Sequence, residues 1–208
     1  MVIKRLFRKI KEEKEIIQGE ATRGKLYSSD HTYATRDEAK REFKRSVSKL
    51  LDINGWSKLP GFTSSFQLHD PNGTGKDAKT PQVNDYIKII LPGPVPENWV
   101  IVSDIHEGDD KVEFTVNPSI NPTKHRDEQD KIEHFFIPEA SSTFRVQRDG
   151  NKISAYEIGK NEGINNDEDA GNRKLINTLI AEGGWAGVQE FQWNKLTDYL
   201  VHKIEVDR

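Results

Sequence analysis

Cysteine is absent from the 208 residues, and methionine occurs once. The chain therefore has no disulfide, thiolate metal site, iron–sulfur cluster or cysteine nucleophile. Long apolar runs are missing as well: no stretch approaches the ~18 consecutive apolar residues of a membrane-spanning helix. Basic excess is missing too. Lys and Arg number 31 against 34 Asp and Glu, a net charge of −3, which argues against a dedicated nucleic-acid binder. The six histidines never fall at metal-ligand spacing on one element, so no metal is expected. No cofactor signature is complete, so none is expected either.

Leu, Ile, Val and Phe supply 51 of the 208 residues, above the ~20% at which chains look disordered. The core is lean, and the mean hydropathy is −0.78. The length suits one domain, taken as 21–208, with residues 1–20 set apart. Within 1–11 the charges are all basic (Lys4, Arg5, Arg8, Lys9, Lys11), and Val2, Ile3, Leu6, Phe7 and Ile10 recur at helical spacing. That pattern is a basic amphipathic helix. It lacks the continuous apolar region and small-residue cleavage site of a secretory signal, so the expected location is cytoplasmic. Residues 1–17 have three open destinations: their own domain, a second copy in a homodimer, or a peripheral contact with anionic membrane.

The periodicity then predicts a strand at 24–34 and a helix at 37–51. The helix is capped by Thr35 or Asp37, buries Ala39, Phe43, Val47, Leu50 and Leu51, and ends at Asn54-Gly55. From residue 62 the period becomes two. Strands follow at 62–69, 86–91, 99–105 and 112–116, with a turn at Glu107–Asp110 and long loops at 70–82 and 117–131. A short strand at 132–137 and a hairpin through Asp149-Gly150-Asn151 complete the set. The rest is helical: one segment around Leu175–Ile180, a break at Gly183-Gly184, then a helix over 185–204, about 30 Å long at ~1.5 Å per residue. Consecutive hairpins without crossover helices mean an antiparallel sheet and an α+β class. The expected fold is a curved sheet of about seven strands gripping a long C-terminal helix, with the N-terminal amphipathic helix added.

This order across 24–204, with Trp56 after the first helical segment and a Trp-rich final helix, resembles the helix-grip fold of the START, polyketide-cyclase and pollen-allergen superfamily (SRPBCC). The resemblance implies an apolar ligand held between sheet and final helix. The extra N-terminal helix, the two long loops and the Gly183-Gly184 break depart from it. A lipocalin-like barrel, or another curved antiparallel sheet with a packed helix, remains open.

Short motifs fail on inspection. Gly73-Thr74-Gly75-Lys76 lacks the first glycine of a phosphate loop, where Asp70 stands, and its Ser or Thr, where Asp77 stands. Ser103-Asp104-Ile105-His106 resembles one block of a two-metal phosphoesterase, but the later ligand blocks are missing. His125-Arg126-Asp127 has no kinase context, and Asp167-Glu168-Asp169 lacks the glycine and distal glutamate of a calcium loop.

Ligand cavities are mostly apolar with a few oriented polar groups. The expected lining is Trp185, Val188, Phe191, Gln192 and Tyr199 from the final helix, with Phe144, Tyr156 and His134; Trp193 is expected to project elsewhere. Gln189 and Arg145 are further polar candidates. Three functions compete. One is binding of an apolar or amphipathic small molecule between sheet and helix. Another is a packed structural or interaction protein. The third is a cyclase- or hydrolase-like enzyme, for which His134, Glu157 and His106 are the first groups to test as buried acid or base.

Overall fold

A computed structural model of the chain describes residues 23–78, 80–91, 98–124, 136–162 and 185–206; the side chains of 23 and 185–190 are not described. The N-terminal amphipathic segment, the loop and strand over 125–135, the acidic stretch and the helical segment around 175–180 lie outside these residues. Seven strands form one antiparallel sheet: β1 (Arg23–Thr32), β2 (Ser65–His69), β3 (Tyr86–Ile90), β4 (Asn98–Glu107), β5 (Lys111–Pro118), β6 (Ser141–Asp149) and β7 (Lys152–Glu162). Their order is β1-β7-β6-β5-β4-β3-β2, so the first strand closes against the last while β2 to β7 follow by simple hairpins.

Two helices bridge β1 and β2. The helix α1 (Arg36–Leu51) is capped by Thr35, whose hydroxyl accepts from the Glu38 N–H, satisfying one of the amides a helix start leaves open. It ends at Leu51, as expected for 37–51, where Asp52 caps its C-terminus and at once accepts from Gly55 N–H to start α2 (Ile53–Trp56). The turn swings Trp56 into the core, 1% exposed.

The sheet buries one face by alternation. Val112, Phe114 and Val116 of β5 stand opposite Val146, Phe144 and Ser142 of β6. From β7, Ile153, Ala155, Glu157 and Gly159 fall on the same face, and from β1 Lys25, Tyr27, Ser29 and His31. The register of β4 shifts between Val102 and Asp104, a bulge that bends and twists a strand locally. Trp99 takes the opposite face and is still 1% exposed. The His69 ring covers it at 4.8 Å, and the two long loops meet nearby, where Gly73 lies against Pro122 and Thr123.

The last helix, α3 (Trp185–Leu200), lies along β1 and β7. Ser29 donates to Asp198 at 2.7 Å and pairs with the Thr197 hydroxyl at 3.1 Å. At 16 residues α3 is shorter than the 185–204 expected. It stops because His202 takes φ 64°, with His202 N–H bonded to Tyr199 O and Lys203 N–H to Asp198 O. This is the bond pattern of a Schellman motif, with histidine where glycine is usual. Among the described residues no helix is long and apolar enough to cross a membrane.

Candidate functional site

An aromatic cluster links helices to sheet. Trp56 stands 5.0 Å from Phe144, 5.7 Å from Phe66 and 6.0 Å from Phe114, and Trp193 closes over Phe144 at 5.4 Å. Beside this cluster is a cavity of about 70 Å³. Its floor is Ile87, Ile89, Val100, Val116 and Phe144 of the sheet, and its far side Phe136 and Ala140. Polar groups reach it at two places. Ser141 and Ser142 open β6, and Ser64 meets Gln192, whose side chain is held at both ends: its oxygen accepts from Ser64 at 3.1 Å and its nitrogen donates to Thr63 Oγ1 at 2.7 Å.

The expected site residues divide. Phe144 and Gln192 line the cavity. Trp193 lines it too, correcting the expectation that it projects elsewhere, while Phe191 is 50% exposed with the Lys195 ammonium over its ring at 4.6 Å. Helical phase accounts for the exchange: stepping back from buried Leu200 and Leu196 by three and four residues reaches 193 and 192, not 191. Tyr199 faces a separate surface groove, where Lys49 stands 4.2 Å over its ring. Tyr156 pairs with Arg145 on the outer face of the sheet, because its neighbours Ala155 and Glu157 take the core face. Arg145 is ion-paired there with Glu113. Trp185, Val188 and Gln189 belong to the first turns of α3, and their side chains, like His134, lie outside the described residues. His106 is exposed near the β4–β5 turn.

Glu157 is the group whose burial the composition does not announce. It is 0% exposed on the core face, opposite Phe144 on one side and Tyr27 on the other. Burial, and then the charge of Glu162, push its carboxyl up to about 8; the Ser142 hydroxyl and Lys25 pull the other way. Glu162, 2% exposed, has Lys25 at 3.7 Å. Gly159 makes room for it: a Cβ there would come within 2.3 Å of a Glu162 carboxylate oxygen.

The glycine-rich turn at 70–76 spends its amides internally, since the Asp70 carboxylate accepts from both Asn72 and Thr74 N–H. Among the described residues no three His, Asp or Glu side chains converge as a metal site.

No protein-family model and no curated protein sequence matches the chain. Solved structures do. A hypothetical protein of Helicobacter pylori superposes with a TM-score of 0.51 at 12% identity, over 92% of this chain and 94% of that one. This likeness shows a shared fold. A truncated norcoclaurine synthase of Thalictrum flavum (TM-score 0.41, 9% identity, 89% and 98% covered) and Ara h 8.0201 (0.37, 11%, 86% and 99%) are more distant. With its strand order, the two helices between β1 and β2 and the helix after β7, the chain has a helix-grip arrangement, an antiparallel seven-stranded sheet with a C-terminal helix along it, and no specific family is assigned.

Proposed function

We propose that the chain binds a small apolar or amphipathic molecule between α3 and the core face of the sheet. The observation that carries this reading is the cavity itself. Protein interiors are close-packed, yet aromatic and aliphatic walls here stand apart around about 70 Å³, with hydroxyls and one amide at the margins. That is space for on the order of five water molecules, well short of the ~300 Å³ and more of drug-sized sites. The ligand is therefore short, or enters by its apolar end alone.

The test is titration of the full-length chain with 1-hexanol, followed by tryptophan fluorescence, since Trp56 and Trp193 both line the cavity. Saturable binding that is lost in Val116→Phe, with a cooperative melt retained, is the expected result. No saturable response, together with native mass spectra free of any co-purified molecule, leaves only the reading as a packed interaction protein.

A further inference from the structure

The alternation of β7 places Ile153, Ala155, Glu157 and Gly159 in a row on the core face. Three of them suit a packed interior. Glu157 does not: its side chain is wholly buried, and neither carboxylate oxygen makes a hydrogen bond of normal geometry. Buried carboxylates are ordinarily paired or fully hydrogen-bonded. Lys25, at 3.7 Å, is engaged with Glu162.

Glu157 does not itself line the cavity, but Ser142 does, and the Ser142 hydroxyl faces the Glu157 carboxyl. Phe144, the direct partner of Glu157 across β6–β7, lines the cavity too, and the partner of Ser142 is Gly159. Ser142 and Gly159 are small, and the Glu162 side chain fills the space over Gly159, so the two carboxyls stand together behind Ser142. We propose that Glu157 is the cation end of this pocket and that the preferred ligand is a short amphipathic amine. Its apolar chain lies against Phe144 and Trp193, and its ammonium group reaches Glu157 past Ser142. The inference rests on the apolar-pocket reading and adds the chemistry of the ligand's head.

Electrostatics select the cation. An anionic head would meet Glu157 and Glu162 together. A neutral hydroxyl would gain an uncharged hydrogen bond, about half as strong as a charge-assisted one. The groups facing Glu157 from described side chains are Glu162 of β7, Lys25 and Tyr27 of β1, and Ser142 of β6. The described α3 side chains nearest the cavity, Gln192 and Trp193, carry no charge. With its carboxyl pushed up to about 8, Glu157 holds a proton at neutral pH until a cation arrives, so binding of an ammonium releases that proton to solvent.

Isothermal titration of the full-length chain at pH 7 with 1-hexylamine, 1-hexanol and hexanoate tests this. Hexylamine is expected to bind tenfold or more tighter than hexanol, with hexanoate weakest. Repetition in buffers of different ionisation heat should show close to one proton released per amine and none per alcohol. Glu157→Gln should abolish both the amine preference over hexanol and the proton release. Ser142→Val, which narrows the passage and removes the hydroxyl facing Glu157 but keeps the carboxyl group itself, should lower the preference, and it decides the matter if Glu157→Gln fails to melt cooperatively. Hexanol binding with no amine preference overturns the cation end and leaves the apolar pocket standing. Absence of binding by all three overturns both. An amine preference that survives in Glu157→Gln also overturns the assignment.

Discussion

The Ser64 hydroxyl donates a 3.1 Å hydrogen bond to the side-chain oxygen of Gln192, joining the loop before β2 to the middle of α3. The amide nitrogen of the same side chain donates to Thr63 at 2.7 Å. One residue of α3 thus fixes the helix to the far edge of the sheet, at the margin of the cavity. Because Gln192 and Ser64 are both buried, truncation leaves the serine hydroxyl without its acceptor. Gln192→Ala is expected to lower stability by about 1–3 kcal/mol, read from the midpoint of urea unfolding. An unchanged midpoint would mean the latch orients α3 without stabilising it.

Leu196 lies one helical turn further on and is fully buried, as are Leu200 and Val201. Removing its branched end leaves a void between α3 and the sheet rather than at a surface. Leu196→Ala is expected to cost about 2–5 kcal/mol, whereas Phe191→Ala, half exposed in the same helix, should change stability by well under 1 kcal/mol by comparison. Thermal melts of the two variants side by side check the phase of α3. A larger loss at Phe191 than at Leu196 would contradict that phase.

Much of this architecture is legible from period alone. Alternation at Val112, Phe114 and Val116 and the Asp149-Gly150-Asn151 turn place β5, β6 and β7 in register, with Gly150 at φ 60° as a tight hairpin needs. The end of α3 was not legible, because His202 rather than glycine adopts the left-handed conformation there. The cavity wall was only half legible. Phe144 follows from strand alternation, but Phe191 and Trp193, both aromatic, stand about 200° apart in helical phase, two residues at ~100° each, and the choice between them turns on where the buried stripe is centred. Tyr156 offers a polar aromatic group, but parity within β7 sends it outward and puts Glu157 inward.

Residues 1–20 make a separate prediction from their charge pattern. Removing them should leave the cooperative melt intact and change association, either with anionic vesicles or with a second copy. Salt tells the two apart. Attraction of five basic side chains to anionic lipid weakens as ionic strength screens them, while a contact built on Ile3, Leu6, Phe7 and Ile10 is nearly salt-insensitive. Vesicle co-sedimentation and sedimentation velocity at low and high salt decide it. A truncated chain with unchanged association and a much lower melting temperature would place the segment in the domain core.

The buried carboxyl of Glu157 makes stability depend on pH in a direction opposite to the usual carboxylate. Its folded-state value is about 8 against an ordinary 4.5, so between these values the folded chain binds a proton that the unfolded chain has lost. Stability from this group is therefore full below about pH 4.5, falls steadily as pH rises through the window, and is flat above about 8. The ceiling on the loss is ~5 kcal/mol, at 1.36 kcal/mol per pH unit. Other groups act differently. Ion pairing holds the Glu113 and Glu205 carboxyls below their ordinary value, so they lose stability only as pH falls below about 4.5. Burial lowers His202, which adds stability as pH rises toward 6.5. Comparison with Glu157→Gln cancels these contributions, since the amide mimics the protonated carboxyl and cannot ionise. The variant is expected to match the wild-type protein near pH 5 and to exceed it increasingly toward pH 8, by up to several kcal/mol in urea unfolding. Parallel pH profiles for the two proteins would mean that Glu157 is ionised and well solvated in the folded chain.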